Sequence, residues 1–238
     1  MYYSILMEEV NTIDVIQNEH QEVYNFPFDT CEECNTNGII KQPYSFTINL
    51  ISSIILLILA ILSKSFPVRI TLLSYSLFEL CHSISHAIHI SGNGDIQKNT
   101  IHYLGYFMAF TTLYAILYLS KSNLTYLQIF IILIAIIIDQ ISYKTQNTFA
   151  MFTTGILLFS IIIIIEYNKL PQQFKDGLLF LIPGIIIIWI LFYNESKNCK
   201  KMLKWKNLPY HVLIEIMGLV LFTIIGVLFY RWDLSNVV

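Results

Sequence analysis

Apolar residues in this chain come in long runs, each close to the length of a bilayer crossing. Seven stand out: Ser45–Phe66, Val68–Ile90, Ile101–Ser120, Tyr126–Ser142, Asn147–Tyr167, Gly177–Tyr193 and Tyr210–Trp232. A helix that spans the hydrocarbon core needs about 20 predominantly apolar residues. Open sheets cannot satisfy their backbone in lipid, so the runs are read as helices. One run alone would suit a buried helix of a soluble protein. Seven in one chain predict an all-α, polytopic membrane bundle of seven transmembrane helices. Short polar connections separate them, at Ser91–Thr100, Lys121–Leu124, Tyr143–Gln146, Asn168–Asp176 and Asn194–Pro209.

This pattern divides the chain into an acidic N-terminal tail, residues 1–43, and a transmembrane domain, residues 44–238, with no internal repeat. The tail carries Glu8, Glu9, Asp14, Glu19, Glu22, Asp29, Glu32 and Glu33 against Lys41 alone. It lacks the basic and apolar regions of a cleaved signal peptide.

Composition sharpens the picture. Hydrophobic residues make up 55% of the 238 residues and charged residues 13%, about half the charged share of a soluble domain. Mean hydropathy is +0.62. A soluble enzyme and a disordered chain are excluded on these grounds. The formal charge of −2 offers no basic footprint for nucleic acid. With 4 cysteines the chain is no disulfide scaffold.

Seven crossings assign the loops to two faces. The tail face holds eight Lys or Arg residues and the opposite face six, and five of the eight lie at Lys197–Lys206. The positive-inside rule therefore leaves orientation open.

Ionisable groups within a membrane are costly and mark functional sites. Glu79, His82, His86 and His89 lie at helical spacing late in the second run. His102 opens the third run, Asp139 lies near the end of the fourth, and His211 and Glu215 stand in the first turns of the seventh. Crossing parity alone puts all of them near the tail face, and with them five of the six histidines. His82–His86 and His211–Glu215 each place two ligands one turn apart. A His and Glu set with an open position suits catalytic zinc, which makes hydroxide available near neutral pH. Two other readings stay open. One is a network of interhelical hydrogen bonds. The other is axial haem ligation by paired histidines, which the carboxylates and the shallow depth disfavour.

The segment DTCEECNTNGIIKQPYSFTINL, Asp29–Leu50, resembles the start of the alkaline ceramidases, a seven-span hydrolase family grouped with the adiponectin receptors. Asp29, Cys31, Glu32, Gly38, Ile40, Lys41 (for Arg), Gln42, Pro43 and Asn49 carry the resemblance. It implies a zinc site between helices 2, 3 and 7 and hydrolysis of a ceramide-like lipid amide drawn from the bilayer. It also implies an endomembrane location, ER or Golgi, with a lumenal or extracellular tail. The family's ligands are a His late in helix 2 and a His-x-x-x-His pair early in helix 7, with a helix 2 Ser and a helix 3 Asp. Here the helix 7 pair reads His211-x-x-x-Glu215, the Ser position holds His82, and helix 3 offers His102 in place of Asp. Carried over, the resemblance gives His82, His86, His211 and Glu215 as zinc ligands. Glu79 or His102 would be the acid/base. Asp29 and Glu32, with the Thr30 carbonyl, match the family's calcium site. If the tail face is oxidising, Cys31 can pair with Cys199.

Two function classes follow. One is a zinc-dependent lipid amidohydrolase. The other is a binding or structural membrane protein that keeps the fold and a metal site without turnover. A retinal receptor is excluded, because the seventh run contains no Lys. The chain also lacks the repeats and broken helices of a transporter.

Overall fold

Pro43 stands at the start of the first helix, where its missing N–H costs nothing. From there the computed structural model, which describes residues 38–88, 95–145, 148–202 and 209–236, is helical almost throughout. Seven α-helices follow in order: α1 Pro43–Leu62, α2 Phe66–Ile88, α3 Asp95–Leu119, α4 Tyr126–Lys144, α5 Thr148–Glu166, α6 Gln172–Met202 and α7 Tyr210–Asn236, with a short 3-10 turn at Tyr167–Lys169. No strand occurs among the described residues. Residues 1–37 of the acidic tail lie outside them, and with these Asp29 and Glu32, Cys31 and Cys34, as does His89.

Each apolar run maps mainly onto one helix, and several helices outrun theirs, α7 by four residues to Asn236. α3 begins at Asp95 rather than Ile101, and α6 continues to Met202 where the apolar run stops at Tyr193. Hydropathy marks the stretch suited to lipid. Backbone hydrogen bonding carries on past Tyr193 through Glu195 and Lys197, both good helix formers, to a kink at Asn198, whose φ of −125° and ψ of 15° are not helical.

Among the described residues, five helices are long and apolar enough to cross a membrane: Pro43–Leu62, Asn99–Leu119, Tyr126–Lys144, Gln172–Glu195 and Tyr210–Asn236. α2 has the length, at 23 residues, but Arg69, Glu79, His82, His86 and several serines lower its hydropathy. The distribution of polarity is inverted relative to a soluble bundle. On α1 the buried face reads Ser45, Asn49, Ser52, Ser53, Leu56 and Ala60, while Ile51, Ile54, Leu57, Ile58 and Ile61 point outward. Such a helix gains nothing by facing water, and it suits an apolar solvent.

α1 packs between α2 and α7, α3 lies against α2, α6 against α7, and α4 against α5. Hydroxyl groups hold the first three helices together. Ser53 Oγ donates to the Ser76 carbonyl (2.8 Å), Ser76 Oγ to the Ser53 carbonyl (2.9 Å), and Thr71 Oγ1 to the Thr111 carbonyl (2.7 Å). Such bonds take the place of the hydrophobic drive that is missing between helices in lipid. Between α6 and α7 the contact is steric. A Cβ at Gly177 would stand 2.5 Å from Leu228 Cδ1, so the Leu228 side chain would have to turn away to admit one.

Two buried carboxylates secure the end opposite the histidines. Asp233 of α7 accepts from the backbone N–H groups of Lys64 (2.6 Å) and Ser65 (3.1 Å), in the turn leading into α2. Glu166 accepts from Ser122 Oγ (2.8 Å) and Gln128 Nε2 (3.0 Å), and Lys169 Nζ lies 3.3 Å away. Both acids are satisfied structurally, which leaves the other end of the bundle as the place for chemistry.

Candidate metal centre

α2 turns one face inward, with buried positions that include Tyr75, Glu79, Ser83 and His86. That periodicity carries Glu79 and His86 into the bundle and leaves His82 half-buried at its edge. α7 enters from the same end and presents His211 and Glu215, one turn apart and both buried. Crossing direction thus sets four of the predicted ligands at one height, and the α1–α2–α7 packing brings them together.

Glu215 is the centre of the group. Its Oε1 lies 2.6 Å from His211 Nε2, 3.3 Å from His86 Nε2 and 3.8 Å from His82 Nε2. The two α2 rings approach each other at 3.2 Å between their Nε2 atoms. Ligand atoms on a tetrahedral ion with bonds of about 2.0–2.1 Å lie about 3.3 Å from one another. The His82, His86 and Glu215 ligand atoms meet that condition to within half an ångström and could hold a metal ion. Among the described residues no other group of three His, Cys, Asp or Glu side chains does so.

The donor set passes a second test. His211 Nε2 and Glu215 Oε1 are buried without a hydrogen-bond partner, although they face each other at close range. A buried polar atom left unmade costs about 1–3 kcal/mol. A cation held by His82, His86 and Glu215 would give Glu215 Oε1 a partner and offset its charge, and His211 Nε2 could share that ion only if the 2.6 Å pair opened to the roughly 3.3 Å of a shared tetrahedral shell. Every ionic partner of Glu215 among the described residues is a histidine, so no Lys or Arg balances it.

Each ring is held from behind. Gln42 Oε1 accepts from His86 Nδ1 at 2.6 Å, and Glu195 Oε1 accepts from His211 Nδ1 at 2.8 Å. With the proton on Nδ1, the lone pair of each neutral ring is on Nε2, facing Glu215. Gln42 is fixed in turn by its backbone, which donates to the His86 carbonyl (3.0 Å) while Lys41 N–H donates to the Ala87 carbonyl (3.1 Å). His82 is held less firmly, with Asn49 Nδ2 at 3.4 Å from its Nδ1. An amide N–H donated there puts the ring proton on Nε2. Turning the Asn49 amide over presents its oxygen and frees Nε2 for a metal. The hydrogen-bond network and the metal site differ at this amide.

Glu79 lies one turn from His82, buried, beside Ser52 of α1 and within electrostatic reach of Glu215. His102 sits elsewhere. Gln140 Nε2 donates to its Nε2 at 3.0 Å, Asp139 Oδ2 is 3.6 Å away, and Tyr143 stacks on the ring at 4.0 Å. Tyr106 OH donates to Asp139 and accepts from Gln140 Nε2 at 3.0 Å. Among the described residues His102 makes its contacts within α3 and α4, and none joins it to the group around Glu215.

Two members of the site were not among the sequence-derived candidates. Glu195 follows an apolar run and opens a charged stretch, which reads as a loop, but the extension of α6 turns it inward. Gln42 matches the family resemblance, yet its contact with His86 depends on how residues 41–42 fold over the end of α2. No family model, curated protein or solved structure matches this chain.

Proposed function

We propose that this chain crosses the bilayer seven times as an endomembrane protein and hydrolyses a ceramide-like lipid amide at a divalent metal. Zinc suits the set of imidazoles and one carboxylate with an open position. The observation that carries the reading is the convergence of His82, His86 and His211 on Glu215, with orphaned buried atoms at its centre. His82, His86 and Glu215 would hold the ion, and His211 would complete or replace one of them.

A bound zinc ion supplies Lewis-acid activation of water and of the amide carbonyl. The remaining chemistry belongs to the chain. Glu79, buried one turn from His82, takes the proton of the attacking water and returns it to the leaving amine. Gln42 and Glu195 keep the imidazoles oriented. The apolar outer faces of the helices admit the substrate sideways from the bilayer, so the long acyl chain need not enter water.

A second reading keeps the metal and drops the turnover. It is favoured by His102, whose interactions are used up within α3 and α4, leaving helix 3 without a group at the metal. Turnover of labelled lipid amides by the purified protein separates the two. Release of fatty acid that stops on chelation and returns with zinc supports the hydrolase. Stoichiometric metal with no release supports the second reading.

A further inference from the structure

We infer that Glu195 and Gln42 are positioning residues of the metal centre, and that the carboxylate at one ring and the amide at the other set how tightly the ion is held. This rests on the reading of the Glu215 group as a metal site.

The two contacts are built alike. Each places a buried side-chain oxygen on Nδ1 of a buried imidazole, at 2.6 Å for Gln42 on His86 and 2.8 Å for Glu195 on His211. The four residues come from four places in the chain: the lead-in to α1, the end of α2, the late part of α6 and the start of α7. None of these contacts follows from helical neighbours, so the bundle itself must bring them together. Their chemical effect is also specific. An acceptor on Nδ1 fixes the tautomer that leaves Nε2 as the ligand atom. A carboxylate acceptor makes the ring a stronger base than an amide acceptor does, and removing such partners weakens metal binding by about 10–100-fold.

A packing role alone would make any change at either position harmful. The proposed role makes the two positions respond in opposite directions to charge. Glu195→Gln keeps shape and an acceptor oxygen but loses the charge, so zinc affinity falls. Gln42→Glu keeps shape and adds charge, so zinc affinity holds or rises. Gln42→Ala removes the acceptor and lowers affinity.

The test uses the full chain in detergent, with zinc affinity read by competition against a chromogenic chelator and site geometry read from the visible spectrum of the cobalt(II)-loaded protein. The expected result is about a 10-fold or greater loss in Glu195→Gln and Gln42→Ala, an altered cobalt band in both, and no loss in Gln42→Glu. Glu195→Gln and Gln42→Ala variants that bind zinc as tightly as the unmodified chain would overturn the inference, as would loss of affinity in Gln42→Glu. An unmodified chain that binds neither zinc nor cobalt defeats instead the metal reading beneath it.

Discussion

His211 Nε2 and Glu215 Oε1 stand 2.6 Å apart in the interior of the bundle as a buried ionic pair, with no further hydrogen-bond partner for either atom. The pair lies one turn apart on α7, so the helix itself fixes the approach. Two such atoms are costly to bury without partners. The two α2 histidines lie on the same oxygen, and with it they form a group that could hold a metal ion.

The first expectation concerns content. Protein extracted gently in detergent should carry about one transition-metal ion per chain, measured by elemental analysis. His86→Ala and Glu215→Gln should be empty, since each removes a ligand and Glu215 also carries the balancing charge. His20→Ala should keep its metal, because His20 lies outside the predicted layer. An unmodified chain without metal, in a folded sample, would return the group to a hydrogen-bond network.

Glu79 and His102 can be told apart by substitution. Glu79→Gln preserves shape and leaves all four ligands in place, so metal content should stay unchanged while lipid amide turnover falls by about 10²–10⁴-fold. His102→Ala disturbs contacts within α3 and α4, with Tyr103, Tyr106, Asp139, Gln140 and Tyr143, and should leave turnover within a few-fold. The reverse ranking, measured under saturating zinc, would move the proton-transfer role to α3.

What could be read in the sequence, and what could not, divides along a physical line. The seven helices and the common depth of His82, His86, His211 and Glu215 follow from run length and crossing parity, which need no packing geometry. Separating His102 from that layer needs the lateral arrangement of helices at one depth, which parity does not contain. Glu195 was hidden for a different reason. Its local sequence is polar and basic, and only the continuation of α6 beyond its apolar run carries it to His211. Asn49 was visible as a polar residue in an apolar helix, but its contact with His82 depends on how α1 packs against α2.

Asp233 makes a contrasting prediction. Its carboxylate accepts from Lys64 and Ser65 N–H groups at the far end of the bundle, so Asp233→Ala leaves two donors of the α1–α2 turn without their acceptor. The expected cost is about 1–3 kcal/mol of stability, read as a lower unfolding temperature in detergent. Metal content should not change, because the site lies at the other end of α2 and α7. Loss of zinc without loss of thermal stability would mean that the two ends are coupled in a way the packing does not explain.

Orientation is the last expectation. Seven crossings would set the candidate metal layer and the tail on one face and Lys169, whose side chain is 54% exposed, on the other. The resemblance at Asp29–Leu50 implies that the tail is lumenal, and an acidic tail suits a calcium-rich compartment. The lysines at 197–206 lean the other way, but they sit late in the chain, and the first helices usually dominate. Lys169→Cys in sealed microsomes should therefore react with a membrane-impermeant maleimide added from outside. Cys31, Cys34 and Cys199 should react only after the membrane is opened and the protein reduced, since the lumen permits a Cys31–Cys199 disulfide. A protected Lys169→Cys, together with digestion of residues 1–40 from the cytosolic side, would invert the bundle and remove the disulfide. The metal centre would survive that inversion, because the residues that build it share one face whichever way the helices run.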